Sequence, residues 1–90
     1  MNNQPKEGDL RVWWIPQVPM KPFYVDVPSL EVAGYIMDVL ADYDMFQFEN
    51  NIKPDYANAG GVQVFEGGEW IDWYSEDGED FDEWWEAQQP

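Results

Sequence analysis

The stretch "VQVFEGGEWIDW", Val62 to Trp73, holds Gly67-Gly68 between two runs that alternate apolar and polar residues. Two glycines in that setting mark a two-residue turn needing positive φ, and the flanking runs become the arms of a β-hairpin. Registering the arms on the turn sets Phe65 opposite Trp70, Val64 opposite Ile71 and Val62 opposite Trp73. Side chains alternate across a strand, so Val62, Val64, Ile71 and Trp73 share one face and are expected in the core. Gln63, Phe65, Trp70, Asp72 and Tyr74 share the other, a partly exposed aromatic patch.

Working outward, "LRVWWIPQV" (Leu10 to Val18) is rich in β-branched and aromatic residues and is stopped by Pro16 and Pro19, so it reads as a strand of about six residues. "PFYVDV" (Pro22 to Val27) sets Phe23, Val25 and Val27 against Tyr24 and Asp26, the period of a half-buried strand. Pro28-Ser29 then marks a helix start, with Ser29 as the cap. Leu30, Ala33, Met37 and Leu40 form one apolar stripe, with Val32, Ile36, Val39 and Tyr43 beside it, a face wide enough to cross a sheet. Gly34 inside this helix costs about 1 kcal/mol relative to Ala, and is expected to allow close approach to a strand or to Trp13 or Trp14. From Asp42 to Gly61 the periodicity is lost, and the segment reads as a long loop with a short helical turn near Met45 to Phe48. Loops of that length are often functional.

The fold expected is therefore α+β: a small antiparallel sheet of about four strands with one main helix packed across it. Residues 1-75 form the compact domain, with 1-9 as a loose leader, and 76-90 form an acidic aromatic C-terminal segment. Ninety residues support one core, and a chain 44% apolar and 18% aromatic can build it.

Charge narrows the function. Lys6, Arg11, Lys21 and Lys53 face nineteen acidic residues, for a net charge of -15 and a pI near 4.1. Such a chain repels nucleic acid and anionic membranes and is attracted to a basic surface. Without cysteine or histidine there are no disulfides, no thiolate chemistry, no histidine-based triads and no common zinc sites. The N-terminal "MNNQPKEGD" carries no apolar h-region and no apolar run is long enough to span a membrane. The expected setting is the cytoplasm in which the chain is made, with no cofactor.

The end of the chain, "SEDGEDFDEWWEAQQP", concentrates seven carboxylates between Glu76 and Glu86 around Trp84-Trp85. The spacing does not fit a calcium loop: from Asp72, the next ligand positions fall on Tyr74 and Glu76, and Gly78 arrives one residue late. No metal site and no catalytic residue is expected, and the protein is not expected to be an enzyme. Aromatic anchors within an acidic field suit a protein interface. Asp77, Glu79, Asp80, Asp82 and Glu83 would supply the field, with Trp84, Trp85 and Trp70 as anchors. Adjacent tryptophans cannot both face one side of an element, so a partner-seeking arm is favoured over an edge folded back through Phe81. An alternative site lies in "NNIKPDYANAGG", where Lys53 and Tyr56, with Arg11, would hold a nucleotide that stacks on Trp70 or Phe65.

At "RVWWIPQVPMKPFYVDV", "LADYDMFQFENNIKPDYANAGGVQVFEGGEWIDWY" and the acidic end, the chain resembles a group of short, acidic, uncharacterised proteins of tailed bacteriophages, over roughly Arg11 to Asp80. The resemblance brings no catalytic residues. By analogy of size and charge it implies an inhibitor of host defence, similar to anti-CRISPR proteins and DNA mimics, that binds a host protein with a basic surface in a nucleic-acid-handling defence complex. The alternatives are a module sequestering a cyclic nucleotide immune signal and a structural or assembly protein of the virion. Self-association is left open.

Overall fold

The computed structural model describes residues 4–53 and 57–89. Four strands and two helices follow in the order β1 (Leu10–Ile15), β2 (Phe23–Val27), α1 (Leu30–Glu49), β3 (Ala59–Glu66), β4 (Glu69–Asp72) and α2 (Phe81–Gln88). The sheet is antiparallel throughout, in the order β2-β1-β3-β4. The α+β class, the four strands and the one long helix are as the sequence predicts.

The hairpin forms in the expected register, with Phe65 opposite Trp70 and Val64 opposite Ile71. Gly67 and Gly68 both adopt the positive φ that the turn demands. The core lies on the face of Val12, Val27, Val62 and Val64, against Ala33 of α1. Ile71 departs from expectation and is 39% exposed, because β4 is an edge strand and α1 packs on β1, β2 and β3 instead. Gly8 and Asp9, just before β1, are tied to β3: the Gly8 amide donates to the Phe65 carbonyl and the Phe65 amide to the Asp9 carbonyl.

Ser29 caps α1 as expected, accepting from the Val32 amide. The helix, however, does not stop near Tyr43. It continues to Glu49 and closes at Asn50 and Asn51, the latter with φ +61°, so the long loop shrinks to the segment after Glu49. The wide apolar face is also corrected, since Val32, Val39 and Tyr43 are exposed while Asp44 is only 3% exposed.

Asp44 is buried because distant groups satisfy it. The indole of Trp14 donates to it at 3.0 Å, the Asn58 amide at 2.9 Å, and Lys53 pairs with it at 3.3 Å. Lys53 also donates to the Pro16 carbonyl. This network pins the end of α1 to the end of β1.

Three glycines act as seats for tryptophans. A methyl group at Gly60 would overlap the ring of Trp14, and one at Gly61 the ring of Trp13. Both glycines thus belong inside β3 rather than in a loop. At Gly34 the occupant is Trp85, neither a strand nor Trp13 or Trp14. Gly34→Ala is expected to destabilise by about 1–3 kcal/mol, because overpacking against the indole outweighs the helix propensity gained. Chemical denaturation with tryptophan emission checks this; a stabilised Gly34→Ala protein would mean that Trp85 does not rest there.

Candidate partner-binding surface

The acidic end is built by local hydrogen bonds into a closed turn followed by a helix. The Ser75 hydroxyl accepts from the amides of Asp77 and Glu79 and donates to the Glu79 carboxylate, and the Ser75 amide donates to the Glu79 carbonyl. Gly78 supplies the positive φ of the turn. Tyr74 and Asp80 then bridge, reversing the chain. Asp80 opens α2 with a capping box: its carboxylate accepts from the Glu83 amide at 2.9 Å, while Glu83 accepts from the Asp80 amide at 3.2 Å.

That reversal drives the aromatic side of α2 into the fold, and the free-arm expectation is corrected. Phe81 is 4% exposed and part of the core. Trp84 meets Trp73 edge to face at 5.6 Å between centroids, and Trp85 stacks on Phe81 at 6.1 Å. The Trp85 indole donates to Asp38 at 3.2 Å. Both tryptophans are half-buried, so each packs against its own domain. They avoid the two-sided problem because α2 lies in the angle between the sheet and α1.

The predicted carboxylates therefore divide by what they do. Asp80 and Glu83 are committed to capping, and Glu79 to Ser75. Asp77 and Asp82 are exposed, and Glu76 and Glu86, exposed beside them, extend the same acidic surface. Asp82 is held above the usual carboxylate range, first by partial burial and then by the like charges of Asp80 and Glu86. A raised folded-state pKa means that the folded protein binds this proton more readily than the unfolded chain. Stability from Asp82 thus rises as pH falls through the folded pKa and levels off below the unfolded value, 3.8. Asp82→Asn is accordingly expected to raise the melting temperature slightly at pH 7, with the gain vanishing below about pH 4. Melting curves across pH check it; a lower melting temperature at pH 7 contradicts it.

Trp70 does not join Trp84 and Trp85. It lies on the opposite, open face of the sheet, where it meets Phe65 edge to face at 5.3 Å. Arg11 is sandwiched there, 3.8 Å from the Tyr24 ring centroid and 4.2 Å from that of Trp70, and donates to Gln63 at 2.8 Å. Lys53 is neutralised internally by Asp44. Among the described residues the two cations of the alternative nucleotide site have different partners, and Tyr56 lies outside the described residues.

Among the described residues no helix is long and apolar enough to cross a membrane. No solved structure matches the chain. A superinfection exclusion protein of Salmonella phage P22 is 56% identical over 80 residues, covering 74% of this chain and 78% of its own length. The resemblance to short phage proteins thus holds at the level of the family. A family model described as superinfection exclusion gene product 17 matches residues 9–90, which takes in all four strands and both helices, and the chain belongs to that family.

Proposed function

We propose that this protein acts in superinfection exclusion as a non-enzymatic binder of a basic surface on a partner protein. The observation that carries the reading is the imbalance of usable charge. Of four cations against nineteen acids, Lys53 is consumed in an internal ion pair and Arg11 is stacked between two rings. The outward carboxylates of the acidic end face solvent with little to offset them. Complementary potentials of this kind speed encounter and reject wrong partners.

Proteins that handle nucleic acid are the partner class that fits best. Their grooves are shaped to attract closely spaced phosphates, and a rigid acidic turn and helix can occupy such a groove. The reading is that of a DNA-mimic-like or anti-CRISPR-like inhibitor acting in the host cytoplasm. The acidic surface replaces the tryptophans as the contact, since these are packed inward.

Capture from host lysate at stepped salt tests this. The bound partner is expected to be basic and to elute within the range where surface charges become screened. A partner retained undiminished at about 1 M salt, where the Debye length is only about 3 Å, would show that charge does not lead the interface.

A further inference from the structure

Helix α1 carries a second apolar face that is exposed among the described residues. Val32, Tyr35, Val39, Tyr43 and Phe46 fall at i, i+3, i+7, i+11 and i+14, which aligns them in one narrow stripe on a helix. All five are exposed, Tyr35 at 68% and Phe46 at 56%, while Ala33 and Asp44 look into the core. Scattered exposed apolar residues are ordinary, but an aligned row of valine and aromatic side chains along a helix is the kind of patch that marks interaction sites.

The flank of the stripe states what the partner must carry. Glu31, Asp38, Asp42 and Glu49 fall at i, i+7, i+11 and i+18, a second aligned row. Asp38 accepts the hydrogen bond from Trp85, so this row runs along the side of α1 on which α2 packs. The basic residues of the chain all lie outside α1. The stripe is thus apolar along its length and acidic on one side.

We propose that the outer face of α1 is a docking surface for an amphipathic helix of a partner protein, bearing an apolar stripe with Lys or Arg along one flank. Apolar anchors at i, i+3 and i+7 would lie on the Val32–Phe46 row, as helices do in hydrophobic grooves. The basic flank would run along Glu31, Asp38, Asp42 and Glu49. A second copy of this chain is disfavoured, because it brings a further net charge of -15 and another acidic row to the contact. The proposal rests on the reading of the protein as a binder of basic partners, and extends the contact from the acidic end to α1.

The test uses two fluorescent synthetic peptides of about five helical turns, with the same leucine stripe and either lysine or glutamate on one flank. Anisotropy with the full chain is expected to show the lysine peptide binding at least tenfold more tightly than the glutamate one. Val39→Asn with Phe46→Ser, both at exposed positions and without change of charge, is expected to weaken the lysine peptide at least tenfold. Binding that survives those two substitutions but is lost on neutralising Glu76, Asp77, Asp82 and Glu86 overturns the α1 docking surface while preserving the acidic-end reading. Equal binding of both peptides, or a dimer in sedimentation that Val39→Asn with Phe46→Ser dissociates, also overturns it, the latter making a second copy the occupant. Circular dichroism of the double variant verifies that the helix is intact.

Discussion

Asp44→Ala is expected to cost about 3–5 kcal/mol, the range seen when one member of a buried ion pair is removed and the other charge is left uncompensated. In a small domain whose whole stability is about 5–15 kcal/mol, this brings the fold to its margin. The loss is large because three groups depend on one carboxylate: Lys53 for its charge, and Trp14 and Asn58 for their hydrogen bonds. A paired replacement, Asp44→Leu with Lys53→Met, is expected to recover much of the stability, since removing both charges leaves no buried ion. Urea denaturation of the three proteins checks both expectations. If Asp44→Ala unfolds at the wild-type midpoint, the network does not hold α1 to β1.

The second large effect concerns the acidic end. Phe81→Ala is expected to cost about 3–5 kcal/mol, as for other phenylalanines removed from a packed core. Phe81 packs with Val12, Val27, Ala33 and Val62, and its loss also removes one ring contact from each of Trp73, Trp84 and Trp85. Ending the chain at Ser75 removes Trp84 and Trp85 as well and is expected to abolish cooperative unfolding. A detachable arm makes the opposite forecast, a truncated protein with an unchanged midpoint, and that outcome would restore it.

How much of this is legible in the sequence depends on whether the determining contact is local. The hairpin register is fully legible, because Gly67-Gly68 and period-two alternation are local features. So is the Ser29 cap. The second half of α1 is hidden because its polarity is inverted there: Asp44 faces in, and Tyr43 and Phe46 face out. Only Trp14, Lys53 and Asn58, far away in sequence, make that inversion tolerable. Tryptophan seats at Gly34, Gly60 and Gly61 are likewise long-range facts that sequence spacing does not state.

The acidic end misleads for a different reason. Seven carboxylates suggest solvation, yet Asp80 and Glu83 have the spacing of a capping box, and Phe81, Trp84 and Trp85 lie at i, i+3 and i+4, one face of a helix. Those two local signals together indicate a helix that packs. They also move the candidate site: the tryptophans hold α2 in place, and the carboxylates that remain outside are the proposed contact.

That assignment is tested most directly in cells. Glu76→Gln, Asp77→Asn, Asp82→Asn and Glu86→Gln together remove four outward charges without touching the capping box or the core. Plating of a superinfecting phage would be measured on cells expressing this variant or the wild type, with both proteins confirmed folded and equally abundant. The account predicts that plating on the variant rises towards the level on cells lacking the gene. Exclusion as strong as that given by the wild-type protein would contradict it.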